Sequence, residues 1–149
     1  MANIGKWNAY RGIVSVLTTE LNSLANNTIS AVSAAIDNST NLDIYADFEL
    51  VLASLSPTAG AHIDVYIALA LDGTNYPADA AATMRLQTTQ LLFSLGIGTT
   101  ASTAQRLDIR QVVIPPGTFK IYLDNQAGVS FGATLNTLKM NAYNLNLNG

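Results

Sequence analysis

The amino-acid sequence predicts an all-β fold, an antiparallel β-sandwich of jelly-roll type with an extended N-terminal arm. Three features lead there. Apolar and polar side chains alternate with period two in a succession of short runs, as strands with one buried face require. Turn-forming phrases punctuate the runs: Ser56-Pro57-Thr58-Ala59-Gly60, Asp72-Gly73-Thr74-Asn75-Tyr76 and Pro115-Pro116-Gly117. Strands separated by turn signals every ~8–12 residues build a sandwich or barrel, and about eight of them suit a jelly roll.

The elements follow in order. Ile13, Leu17, Leu21 and Leu24 fall at helical spacing, whereas Val14, Val16 and the stretch from Ile29 to Ile36 suit extended chain. Residues 1–40 are read as an arm with the first strand or strands, and residues 41–149 as the sandwich core, together one domain. From Leu42 the faces separate cleanly, with Leu42, Ile44, Ala46, Phe48, Leu50 and Leu52 inward and Asp43, Tyr45, Asp47 and Glu49 outward. Beyond the Pro57 turn, Ile63, Val65, Ile67, Leu69 and Leu71 oppose His62, Asp64, Tyr66, Ala68 and Ala70, and the two segments are expected to form a hairpin. Asp72-Gly73 ends that strand, and Leu91, Phe93 and Leu95 then face away from Gln90, Leu92 and Ser94.

A Gly- and Thr-rich loop from Gly96 to Thr103 leads into a strand from Gln105 to Ile114. Leu107 and Ile109 share a face there while Val112 and Ile114 take the opposite phase, which predicts a β-bulge near Gln111. Pro115 and Pro116 lack N–H groups and stop the ladder. Phe119, Ile121 and Leu123 alternate with Thr118, Lys120, Tyr122 and Asp124, and a last strand turns Leu138, Met140 and Ala142 inward. The tail from Asn144 to Asn148 reads as a final strand or a frayed end.

Composition narrows the function. At 149 residues and 49% hydrophobic, the chain is the size of one domain able to bury roughly 68–70% of its unfolded surface. It contains no cysteine, so neither disulfides nor thiolate metal sites are available. Only 11% of residues are charged and the net charge is -3, too weak and of the wrong sign for neutralising nucleic-acid phosphates. A surface made mostly of Asn, Thr, Ser, Gln and Ala, with little charge to keep copies apart, hints at assembly. No apolar stretch suits a cleaved signal or approaches the ~18 residues of a membrane span, so neither is expected.

Candidate chemistry is sparse. The single histidine, His62, lies on a polar strand face with no Gly-x-Ser-x-Gly elbow to serve and no second imidazole for zinc. Asp43, Asp47, Glu49 and Asp64 sit on outward faces, where a glycosidase pair or a Ca²⁺ site competes with plain solvated carboxylates. Gly96-Ile97-Gly98-Thr99-Thr100-Ala101 matches a dinucleotide fingerprint in form, but a strand follows it where a helix is needed. The Asn26-Asn27-Thr28 and Asn38-Ser39-Thr40 sequons read as chance matches in an Asn-rich chain. Tyr45, Tyr66, Tyr76, Tyr122 and Tyr143 could stack on sugars, which makes a carbohydrate-binding module an alternative; they are also ordinary strand residues. Trp7 anchors the arm either on its own domain or on a neighbour. No catalytic residue, cofactor or metal is expected.

Asp72-Gly73-Thr74-Asn75-Tyr76, the run from Pro115-Pro116-Gly117-Thr118-Phe119-Lys120 through Ile121-Tyr122-Leu123-Asp124-Asn125-Gln126-Ala127-Gly128, and Asn136-Thr137-Leu138-Lys139 together resemble virion proteins of tailed bacteriophages. The resemblance spans about Asn38 to Tyr143. It implies a jelly-roll-like sandwich with a structural role, a decoration or cement protein on the capsid exterior, made in the host cytoplasm. The implied partners are the major capsid protein and further copies of the chain, by analogy a trimer at a local threefold axis, with no nucleic acid and no membrane. Within the arm, Ile4, Trp7 and Tyr10 are the candidate partner contacts. A neck, tail or fibre-associated protein of the same virion is the structural alternative.

Overall fold

The computed structural model describes residues 6–77 and 90–146. Its strands are β1 (Lys6–Trp7), β2 (Ile13–Leu17), β3 (Thr28–Ile29), β4 (Ile36–Asp37), β5 (Tyr45–Leu55), β6 (His62–Ala70), β7 (Gln90–Gly96), β8 (Thr103–Val113), β9 (Thr118–Gln126), β10 (Thr137–Tyr143) and β11 (Leu145–Asn146). A 3₁₀ turn, Thr19–Leu21, follows β2. Sheet one runs β2-β10-β5-β8; sheet two runs β3-β9-β6-β7, with β4 also on β9; β1 and β11 form a small ribbon. All these pairings are antiparallel. When β3 and β4 are taken as one interrupted strand, the main strands among the described residues number eight. The first, eighth, third and sixth then form one sheet, and the second, seventh, fourth and fifth the other. That is the strand order of a jelly roll.

The core lies between the sheets. Ala46, Phe48, Leu50 and Leu52 of β5 and Leu138 and Met140 of β10 meet Ile63, Val65, Phe93, Leu95, Phe119, Ile121 and Leu123 from sheet two. The rings of Phe48 and Phe93, 5.0 Å apart, join the two layers directly. Each of these side chains larger than alanine contributes roughly 1.5–3 kcal/mol by leaving water. In the first 40 residues the extended reading holds, because β-branched Ile13, Val14 and Val16 favour β2 over a helix. Leu17 and Leu21 are nevertheless fully buried, which ties this segment into the same core.

Several expectations are corrected. β5 and β6 form no hairpin, because they belong to opposite sheets and residues 56–61 carry the chain across the sandwich. Leu42 and Ile44 are exposed: Leu42 has φ +51° in a turn whose N–H donates to the Asn38 carbonyl, and β5 begins only at Tyr45. Leu71 is 100% exposed, since β6 stops at Ala70 and the Gly73 N–H turns back to the Ala70 carbonyl. On β7, a register shift against Val65 and Tyr66 leaves Leu91 exposed and packs Leu92 on the core. The bulge near Gln111 is present, with φ +58° at Gln111 and Arg110 and Gln111 together spanning the place of Asp47. β11 accounts for the start of the tail.

β9 carries the largest burial demand. Tyr122 and Asp124, expected outward, are buried along with Ile121 and Leu123 on the opposite face. Ile29, Val32 and Tyr66 cover the Tyr122 side, and the Tyr66 and Tyr122 rings stack with centroids 5.2 Å apart. The cover is supplied by residues 28–37, which run beside β9 in a broken ladder. Six steps from Ser30 to Ile36 pass only four steps from Leu123 to Phe119, so carbonyls cannot meet every β9 N–H. Serine hydroxyls fill the gaps. Ser30 and Ser33 donate their own N–H to the Leu123 and Ile121 carbonyls, and their Oγ atoms accept the Leu123 and Ile121 N–H at 3.0 Å. Ser33→Ala therefore leaves a buried N–H without its acceptor and should cost about 1–3 kcal/mol. Urea unfolding should show the lower midpoint with unchanged slope.

Candidate functional site

Polar side chains that the sequence scatters along the chain gather on the outer face of sheet one and at its arm-side end. Asp47 is the centre of that group. Its Oδ2 accepts the Tyr10 hydroxyl at 2.7 Å, and its Oδ1 accepts the Gln111 N–H at 2.9 Å and the Tyr143 hydroxyl at 3.1 Å. The arm, the bulge of β8 and the last long strand are thus joined at one carboxylate. Burial pushes the Asp47 carboxyl up, but the hydrogen bonds from Tyr10, Gln111 and Tyr143 and the nearby Arg110 charge outweigh it and hold the pKa below the ordinary value. The same contact acts on Tyr143 in reverse. Burial first, then the hydrogen bond to the Asp47 carboxylate and its charge, push the phenol up to about 12.

The rings form the second part of the cluster. Trp7 meets Tyr45 and Tyr143 edge-on at centroid distances of 5.8 and 5.4 Å, and Tyr10 meets Tyr143 edge-on at 5.0 Å. β1 holds Trp7 there by pairing it with Leu145. Of the three arm residues singled out in the sequence, Trp7 and Tyr10 come together and pack on their own domain while remaining 54% and 53% exposed. Ile4 lies outside the described residues. Next in the chain, Arg11 donates from Nε to both oxygens of Asp43 at 3.1 and 3.2 Å, and Asp43 is buried instead of outward.

Farther across the face, Glu49 stands opposite Lys139 on one side and Asp108 on the other. Arg106 Nε lies 2.9 Å from Glu49, and Arg110 Nε lies 3.2 Å from Asp108. A shallow cleft of about 370 Å³ runs over this surface between Tyr10, Ile13, Arg110 and Lys139. The four outward carboxylates of the sequence do not converge: Asp43 is paired with Arg11, Asp47 is saturated by donors, Glu49 is paired with Arg106, and Asp64 lies on the other sheet. A carboxyl held ionised by three donors is a poor general acid and a poor base. Among the described residues, no group of three or more His, Asp or Glu side chains is placed to hold a metal ion.

Other motifs resolve into turn chemistry. Asp72 Oδ1 accepts the N–H groups of Thr74 and Asn75 at 2.9 and 2.7 Å, and Oδ2 accepts the Asn75 amide, with Gly73 at φ +77°. Hydrogen bonds from the Asn75 backbone and side chain, then from Thr74, lower its pKa to about 2. Asn38, the second sequon asparagine, is buried: its Nδ2 donates to the carbonyls of Asp43 and Pro115, both at 2.8 Å. Ile97, inside the glycine phrase, is buried in an inter-strand loop with its N–H on the Ala61 carbonyl. Of the five tyrosines considered for stacking, Tyr122 and Tyr143 are buried, Tyr45 and Tyr66 lie against them, and Tyr76 sits beneath Lys120 Nζ at 4.2 Å.

Comparison with protein-family models and with curated proteins yields no match. Asp47 as a meeting point was missed in the sequence because its three partners lie 37, 64 and 96 residues away. The usable signal was scarcity: with 11% charged residues, each carboxylate near a bulge or an arm tyrosine merits a search for donors.

Asp47→Ala should lower stability by about 1.5–3 kcal/mol by stranding its donors. The raised Tyr143 pKa means its contribution is fully present below the ordinary phenol value near 10 and is lost as pH rises toward about 12. Carbon-13 NMR of labelled tyrosine should record that late titration, and Asp47→Asn should bring it back toward 10.

Proposed function

We propose that this chain is a non-enzymatic virion structural protein, a capsid decoration or cement protein that bridges neighbouring capsid subunits and stabilises the shell. The observation that carries the reading is the strand order of the two sheets, an eight-strand jelly roll of the kind common in viral capsid and lectin domains. The turn phrases of the phage resemblance fall at its connections: Asp72-Gly73 closes β6 and Pro115-Pro116-Gly117 links β8 to β9. The state of the carboxylates supports a non-catalytic role, since Asp43, Asp47 and Glu49 are each committed to partners within the fold. A bridging protein needs surface and rigidity, and neither demands a poised acid or base.

The arm is the proposed capsid contact. Trp7 and Tyr10 present about half of their surfaces to solvent from a rigid aromatic base, an arrangement suited to anchoring on a partner at little entropic cost. Electron cryo-microscopy of particles containing the chain should find it outside the capsid lattice across neighbouring subunits. Density only at the neck, tail or fibre would refute the cement role. Trp7→Ala should weaken binding to particles lacking the protein by roughly tenfold or more, as expected of an interface aromatic, with the far-ultraviolet circular dichroism unchanged. Deletion of residues 1–11 is a poorer test, because it also removes Arg11 from the buried Asp43.

A further inference from the structure

We propose that the outer edge of β8 pairs antiparallel with β8 of a second copy of this chain, joining two sandwiches through one continuous sheet. β8 is 11 residues long and ends the order of sheet one; among the described residues, β5 lies on one side of it and no strand on the other. None of its residues is fully buried. Leu107, Ile109 and Val112 are half-buried toward the core, while Arg106, Asp108 and Arg110 are exposed on the outer face. Beside this edge a groove of about 480 Å³ runs between β7 and β8, lined by Leu91, Leu92, Ile109, Val112 and Val113. The strand contains no proline and no lysine; the guards it does carry are the charges of Arg106, Asp108 and Arg110 and the bulge at Gln111, and any pairing must accommodate them.

The charges select the register. A twofold axis normal to the sheet keeps outer face beside outer face, so the pairing is centred on one residue of β8. Centring on Asp108 sets Asp108 against its own copy and Arg106 against Arg110, like against like. Centring on Ile109 sets Asp108 against Arg110 but draws the bulge at Gln111 into the ladder. Centring on Leu107 sets Arg106 against Asp108 of the second copy, twice, and leaves the bulge at the ladder's end. Within each chain Arg106 already lies on Glu49 and Asp108 on Arg110. In the joined face each guanidinium then lies between carboxylates, Arg106 between Glu49 of its own chain and Asp108 of the second copy, which also offsets the like pair of Glu49 and Asp108 directly opposite each other within each chain. Opposite charges directly across strands favour pairing, and like charges oppose it. Self-association is thereby set at two copies, where the phage resemblance implies three, and it stands whether or not the virion reading does.

Sedimentation equilibrium of the purified chain tests this. A species of twice the 15.8 kDa chain mass is expected, and a monomer or a trimer overturns the proposal. Arg106→Asp and Asp108→Arg should each weaken the dimer by roughly tenfold or more by placing like charges across the axis. An equimolar mixture of the two variants should recover it, since Arg then faces Asp at both positions; failure of the mixture to recover counts against the register. The chain has no cysteine, so single reporters are clean. Leu107→Cys should cross-link on mild oxidation, whereas Ala104→Cys should not, its mate lying about 20 Å away along the ladder and beyond the ~7 Å reach of a disulfide. Equal cross-linking at both positions, or none at 107, overturns it.

Discussion

A strand buried on both faces must find a partner for every backbone N–H and carbonyl inside the protein, and β9 imposes that constraint here. Its inner face supplies Phe119, Ile121 and Leu123 to the core, and its outer face carries the fully buried Tyr122. β6 satisfies one edge along its whole length. The other edge is left to residues 28–37, whose side chains must also roof Tyr122. A regular strand would serve the first need only. The chain meets both by lengthening its path and substituting serine oxygens for absent carbonyls, and the early part of the sequence is arranged around that compromise.

Charge is used with similar economy at the opposite face. Asp47 gathers donors from the arm, the β8 bulge and β10, and Arg11 neutralises the buried Asp43 just before β5. A buried carboxylate without such partners would be strongly destabilising. The arm therefore does more than extend from the sandwich: Trp7, Tyr10 and Arg11 complete the packing and the electrostatics of the end of sheet one, and the exposed halves of the two rings are presented on a fixed base.

The main strands were legible because each has one apolar face, and a period of two records that directly. Phe48, Leu50 and Leu52, or Ile63 and Val65, need no other information. The bulge at Gln111 was legible for the same reason, as a break of phase. Sheet membership was not: the alternation in β5 and β6 is identical whether they pair with each other or face each other across the core, so the hairpin expectation failed. Ends of runs misled as well, since Leu42, Ile44 and Leu71 continue the pattern after the ladder has stopped. Burial of Tyr122, Asp43 and Asn38 depends on segments far away in the chain, and a polar residue looks the same in sequence whether solvent or a distant partner satisfies it.

The serine-filled edge has a bearing on how the protein behaves at high concentration. A foreign strand adding beside residues 28–37 would advance two residues for each two of its own ladder bonds, while this backbone advances three for every two of β9. Its hydrogen bonds and its alternating side chains would fall out of step within one turn of the pattern. Templated fibre growth needs a flat edge of constant spacing. On that side the molecule offers none, so the irregularity that roofs Tyr122 also makes the edge a dead end for amyloid-like addition.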